Sequence, residues 1–543
     1  MTRQPLLLFI AVFCVKVLLF PAYFSTDFEV HRNWLAITQN RPLCEWYFDE
    51  GSLWTLDYPP FFAFFEKILS CFASFFDPKM TLLSSYDYVS FKALAYQRLT
   101  VALTDGLFFA ATILTLDGLG DVSALVGALF VCCSPGFVFV DSIHFQYNGF
   151  LDGILVLAFF FARQDRPLLL MATFSALLFF KHIYVYALPA FFGYLLGFYC
   201  LNEFRLTWGG CGRLIGRGLV LLSVFALVAG AALGPFLFCS QPVLTQILRR
   251  LFPFQRGLTH AYWAPNFWAL YNLADKLLSL GRPSGPSAHL AGGLVQTISH
   301  VVLPSVHSGT TLFLSFFMAL PSVLLLVRGP WIVKRHPPSD QGRVRTWLLL
   351  LGAAQSSLSF FMFGWHVHEK AVLTALVPLS LMAVTEASPL ILDTFSVLAL
   401  CGTYSLWPLL HRPMERPILF GVTLTYFAAL LWTSKRLRAS SVRFLVAPAW
   451  ARSLVRLVRR VILPLLCWTE LARLAMELLV WLEPHQATFG PALRYLTRQA
   501  AHFRFTPLLL VSCVCAVGTT VSYVVLSAVC LGTCTSWRKA KRN

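Results

Sequence analysis

Charge is what this chain has least of. Asp, Glu, Lys and Arg make up 13% of its 543 residues, against about 25% in soluble domains. A water-soluble globular fold is excluded on that ground, because 57% of the residues are hydrophobic. Acids are the scarcer sign, 25 against 43 Lys and Arg, and the formal net charge is +18. The excess does not point to nucleic acid: the cations sit in short loops between apolar runs, as the positive-inside rule requires. There is no Asn-x-Ser/Thr acceptor site, no Cys-x-x-Cys pair and no Asp-x-Asp. Without Asp-x-Asp the chain lacks the motif with which sugar-nucleotide transferases commonly hold a metal on a diphosphate. Fourteen cysteines are scattered, mostly in apolar runs, and read as small buried hydrophobes. No polar stretch is long enough for a separate soluble domain.

What is present is a succession of apolar runs long enough to span a bilayer. The first, 6–23, contains Lys16 and lacks a small-residue cleavage site, so it reads as a retained helix rather than a signal peptide. Further spans are expected at 96–116, 122–140, 149–162, 167–180, 183–200, 218–238, 310–327, 346–363, 370–385, 389–410, 417–433, 461–482 and 507–536. The fold class is therefore an all-α polytopic membrane protein, one multi-pass domain over 1–543 with fourteen helices. Arg3 places the N-terminus in the cytosol and the even count returns the C-terminus there. A first loop, 24–95, and a second long segment, 239–309, then face the lumen. An Arg-rich segment, 435–460, faces the cytosol and suits anionic headgroups. Lys539 and Lys541, third and fifth from the end, match a dilysine retrieval pattern for the endoplasmic reticulum.

Nine of the 25 carboxylates fall between Asp27 and Asp87. Two segments there, 31–38 and 61–75, have the amphipathic spacing of helices lying in the interface. Polar residues gather in four clusters, all on the luminal side of this map. They are Asp27, Glu29, His31 and Arg32 with Asp57 and Tyr58; Asp141 to Asn148, containing His144 and Gln146; Arg249 to Asn266, containing Arg256 and His260; and Trp365 to Lys370, containing His366, His368 and Glu369. Ionisable groups at membrane depth are costly and mark function. His366-x-His368-Glu369 has the composition of a metal set, but the i, i+2 spacing does not put both rings on one helix face. A donor carried on a lipid monophosphate has a stable leaving group, so a single carboxylate base suffices. The phosphate needs cations and donors instead of a metal; Arg256, His368 and Lys370 are of those types. Trp34, Trp46, Trp54 and Trp263 are candidates for stacking on sugars.

Those residues carry a resemblance. Asp27-Phe28-Glu29-x-x-Arg32-x-Trp34, Leu56-Asp57-Tyr58-Pro59-Pro60, His144-Phe145-Gln146-Tyr147-Asn148, Phe252-Pro253-Phe254-x-Arg256-Gly257, Asn266-Phe267-Trp268 and Val367-His368-Glu369-Lys370 resemble the endoplasmic reticulum glucosyltransferases of the GT-C type. That family uses dolichyl-phosphate glucose to build the lipid-linked oligosaccharide for N-glycosylation. The resemblance implies a metal-independent, inverting transfer without a cofactor. Asp27 matches the general base, with Asp57 and Glu29 as further catalytic candidates. Arg256, His368, Glu369, Lys370, His366, His260, Tyr58, His144 and Gln146 are the candidates for holding donor phosphate or substrate. Two kinds of enzyme share the motifs, one adding the first glucose and one the second. Ser25-Thr26 before Asp27, Gly257 to Asn266 without an acid, and Gly364-Trp365-His366 look like the second kind, which acts on dolichyl-pyrophosphate Glc1Man9GlcNAc2. A lipid or solute transporter is the reading from another class, but no internal repeat supports it. A degenerate scaffold subunit is a further alternative.

Overall fold

A computed structural model describes residues 3–84, 87–116, 121–252, 257–260, 263–279, 300–410, 412–434, 445–482 and 506–535. Among the described residues the regular structure is helical, with one isolated bridge between Thr259 and Val367. Every expected span falls on a helix, yet not every helix can cross alone. Among the described residues, eight are long and apolar enough to span a membrane. A ninth is a bent pair, Val126–Cys132 with Pro135–Phe145, meeting at 42°. Arg3–Leu18, Asn148–Arg163, Pro167–Phe180 and Leu373–Thr385 have 13 to 16 residues. Sixteen residues rise about 24 Å, short of a hydrocarbon core about 30 Å thick. Of the fourteen expected spans, these four thus lie on helices shorter than the hydrocarbon core is thick. One 34-residue helix, Ala449–Leu482, carries both the end of the Arg-rich segment and the run expected at 461–482. The rest of that segment (435–444) and the dilysine pattern lie outside the described residues.

The helix Pro338–Phe363 is the axle, enclosed along its apolar length. Its small polar residues bind the backbones around it. Gln355 donates to Met318 O (2.8 Å), Ser356 to Tyr186 O (2.7 Å) and Ser359 to Ser315 O (3.0 Å). In an apolar surrounding, such bonds and close packing supply the association that water-driven burial cannot.

Two helices of the first loop, Thr26–Asn40 and Pro60–Phe76, occupy the segments read as amphipathic. Pro60 opens the second at the position where a missing N–H costs nothing. They build a core from Phe28, Trp34, Tyr47, Leu56 and Phe62. Trp34, Trp46 and Trp263 are buried and do not form sugar walls; Trp34 and Trp46 spend their indole N–H groups on Thr55 O and Arg41 O. Trp54 alone of the four is half-buried. The cysteine reading is corrected in one place. Cys44 and Cys239, 195 residues apart, form a disulfide that joins the first loop to the second long segment.

Two glycines allow backbone to meet backbone or carboxylate. A Cβ on Gly153 would lie 2.7 Å from Phe108 N and 2.9 Å from its Cα, and one on Gly149 would strike the Asp105 carboxylate. Gly153→Ala should therefore destabilise the protein by about 1–3 kcal/mol, read as a lower melting temperature in detergent. Gly216→Ala, where nothing lies within 4 Å, is the control expected to leave it unchanged. Equal melting temperatures for both variants would show that the two helices part freely.

Candidate active site

The first functional side chain is set by a helix start. Ser25 caps Thr26–Asn40, its hydroxyl accepting from Asp27 N (3.1 Å) while donating to His144 O (2.6 Å). Asp27 thus stands in the first turn, where the aligned peptide dipoles favour an anion. The partner element is the bent span. After Pro135 the chain continues as a π-helix, Val138–Phe145, and Phe145 turns it with φ 87°. This left-handed residue is costly for a side chain of that size. Its ring is held by Phe28, His31 and Tyr147. The turn aims His144 and Gln146 back at Asp27.

Three donors meet one oxygen. Gln146 Nε2 lies 2.6 Å, Lys370 Nζ 3.1 Å and His144 Nε2 3.3 Å from Asp27 Oδ2. Oδ1 takes none of these bonds, and the side chain keeps 24% of its exposure. Burial pushes the Asp27 carboxyl up, but the Lys370 ammonium, the His144 ring and the Gln146 amide outweigh it and hold it well below the usual carboxylate range. The result is a carboxylate held ionised in the free protein, with its polar contacts gathered on Oδ2.

The fourth cluster packs beside it. His366 is also left-handed, at φ 51°. Its N–H donates to Leu258 O and its Nδ1 to Gly257 O, 2.8 Å each, which ties 257–260 to 366–369. The His260 ring lies tilted against that of His368, with centroids 3.9 Å apart and 38° between the planes. Burial, then His260, Lys370 and His366, hold the His368 imidazole well below its ordinary value, so it is neutral. Glu369 is buried, 4.0 Å from His260 Nδ1, and burial pushes its carboxyl up. His260, His366 and His368 are the residues that could hold a metal, with ligand atoms within 4.8 Å of one another. The i, i+2 spacing could not reveal this, because His260 comes from another segment.

Other expected site residues lie elsewhere. Glu29 is not at the Asp27 carboxylate; it grips Arg32 through two bonds of 2.6 and 2.7 Å, and Arg32 also donates to Met80 O. Asp57 contributes no bond to Asp27, and its charge acts on Tyr47 and Tyr58 instead. Tyr58 lies under Lys181, 5.0 Å from its ammonium. Arg256 lies outside the described residues. The sequence reading missed Lys181 and underrated Asn148. The available signal was a lone lysine at the junction of two apolar runs.

Apolar helices enclosing an ionised carboxylate and its cations mark a polytopic membrane protein with a polar site between its helices. Sequence comparison gives the family: the chain belongs to the ALG6, ALG8 glycosyltransferase family, whose model matches residues 12–526. A Mus musculus protein named dolichyl pyrophosphate Glc1Man9GlcNAc2 alpha-1,3-glucosyltransferase is 40% identical over 542 residues, covering 96% of this chain and 94% of its own. Proteins of the same name from Arabidopsis thaliana (42% over 425 residues; 77% and 79% covered) and Dictyostelium discoideum (35% over 503 residues; 77% and 77%) are also similar.

The depressed Asp27 carboxyl has a sign that can be checked. Its ion pair stabilises the fold above the unfolded value near 4, and that contribution is lost as pH falls through the lower folded value. The melting temperature of the wild type should exceed that of Asp27→Asn at pH 6, with the gap closing below about pH 4. A constant gap from pH 3 to 7 would show that the carboxyl titrates at its unfolded value.

Proposed function

We propose that this chain transfers glucose, with inversion, from dolichyl-phosphate glucose to the lipid-linked oligosaccharide Glc1Man9GlcNAc2, adding the second glucose in α-1,3 linkage. The printed names of the relatives supply the acceptor. The Asp27 carboxylate, saturated on Oδ2 and presented on Oδ1, is the observation that carries the chemistry.

Asp27 Oδ1 accepts the proton of the 3-hydroxyl on the acceptor's terminal glucose. That oxygen forms the new bond to the donor's anomeric carbon, opposite the phosphate. The carbon–phosphate oxygen bond breaks and the electron pair leaves with the lipid phosphate. Lys370 and neutral His368 are the donors for that phosphate. In the free enzyme Lys370 is committed to Asp27. When it turns to the phosphate, Asp27 loses the strongest charge opposing its protonation and becomes the better base only when donor is bound. The step needs no metal, since the leaving group is a stable phosphate monoester.

The site is read as luminal, in the endoplasmic reticulum membrane, with both termini cytosolic. The Cys44–Cys239 disulfide supports this, because such bonds persist in oxidising compartments.

The test uses purified protein, short-chain dolichyl-phosphate glucose and two acceptors, lipid-linked Man9GlcNAc2 and its monoglucosylated form. Transfer should occur only to the monoglucosylated acceptor; transfer only to the other would make this a first-glucose enzyme. Asp27→Asn should lose at least 10²-fold in turnover while remaining folded, and full activity in that variant would remove the base from Asp27. Lys370→Met should raise the donor KM more than a phosphate contact of a neutral residue would, and a KM unchanged would leave the phosphate to other cations.

A further inference from the structure

Lys181 has no part in the steps above, yet it ends a directed chain of hydrogen bonds. It stands between Pro167–Phe180 and the span His182–Cys200. Its ammonium donates to Asn148 Oδ1 (2.9 Å). Asn148 Nδ2 donates to Gln146 Oε1 and to Asp141 Oδ1, 2.8 Å each. Gln146 Nε2 then donates to Asp27 Oδ2 at 2.6 Å.

The direction is fixed at the far end. A carboxamide has nearly the same shape when rotated by half a turn, and a reversed Gln146 would aim its oxygen at the Asp27 carboxylate. Lys181 has only donors, so Asn148 must offer it oxygen. Asp141 accepts from Asn148, and its other oxygen accepts from Gly149 N (2.6 Å). Asn148 must therefore give nitrogen to Gln146 and Asp141, and Gln146 must give nitrogen to Asp27. Each bond also polarises the next, so the cation strengthens the last donor.

We propose that Lys181 and Asn148 are positioning residues of the transfer reaction, which orient Gln146, keep Asp27 Oδ2 saturated and so present Oδ1 to the acceptor hydroxyl. The proposal rests on the reading of Asp27 as the base.

The surroundings of Lys181 make it testable by pH. Lys370, Asp141, Asp27 and Asp152 bear on its charge, the Tyr58 ring covers it and His182 adjoins it. Burial, then the Lys370 charge, pull the ammonium down to about 8. It is charged below that pH and loses its charge above.

Turnover of the wild type should fall as pH rises through about 8. Lys181→Arg, which keeps the charge at any working pH, should hold near-normal turnover at pH 7 and lose that alkaline fall. Lys181→Met should cut kcat on the order of ten- to hundredfold with donor KM unchanged, the value of one charge-assisted bond. Asn148→Leu should do the same and move the acid limb of kcat/KM upward, because Asp27 loses an oriented donor; this variant serves if Lys181→Met does not fold. Normal kcat and an unchanged pH profile in Lys181→Met would overturn the proposal. So would a raised donor KM with normal kcat, which would make Lys181 a phosphate contact. Asp27→Asn assayed alongside separates the two readings. If it is active, the base assignment fails; if it is inactive while folded Lys181 and Asn148 variants are normal, only the positioning role fails.

Discussion

The ion pair between Asp27 and Lys370, 3.1 Å long across 343 residues of chain, is the constraint on which the rest depends. Two charges brought out of water cost several kcal/mol each unless their remaining valences are met. The protein meets them with His144 and Gln146 on the carboxylate, and with the carboxylate and His144 on the ammonium. That requires two junctions between helices to arrive at the same point. The first is held by Ser25, whose backbone and hydroxyl both bind His144 O. Arg98 secures the approach from the other side, donating to the carbonyls of Leu19, Phe20, Ala22, Tyr23 and Ile143. One buried guanidinium thus ties the end of the first helix to the π-turn.

The helix that carries Asp27 is otherwise a structural element. Its first turn presents the Asp27 carboxylate, and its later turns hold closed pairs. Glu29 is neutralised by Arg32, and His31 Nδ1 meets Glu66 at 2.7 Å on the neighbouring interfacial helix. The loop's aromatic core is shared with Phe145 and Tyr147 of the bent span's end and with Phe236, Val243 and Ile247. Leu56 to Pro60 contributes to the site indirectly. Tyr58 shields Lys181, while its carbonyl accepts from Tyr47.

Much of this was legible in the sequence. Spans follow from apolar length, and the polar clusters stand out because they break long apolar runs on one side of the map. That the clusters converge was legible only as a shared side of the membrane; the structure brings Asp27, His144, Gln146 and Lys370 to bonding distance. What escaped has physical causes. Helix lengths below a full span are invisible when apolar runs continue through a 3₁₀ or π segment, as at His182–Ala187 and Val138–Phe145. A tryptophan at interface depth looks the same whether it faces a ligand or a loop's own core, so Trp34 and Trp46 misled. Cys44 and Cys239 carry no spacing signal because their partnership is purely tertiary. Glu29 beside Asp27 looked like a second catalytic acid, and only the bidentate Arg32 contact shows otherwise.

That disulfide also sets a schedule. The chain is made from one end, at about 5–20 residues per second, and Cys44 is exposed long before Cys239 exists. Closing a link across 195 residues means waiting on the order of 10–40 seconds at those rates. Six of the expected spans are made in that interval. During it the Cys44 thiol can exchange with any disulfide it meets, displacing the other sulfur as a thiol. The bond forms beside a core that the two segments share, since Val243, Ile247 and Leu251 belong to the same cluster as Trp34, Tyr47 and Phe62.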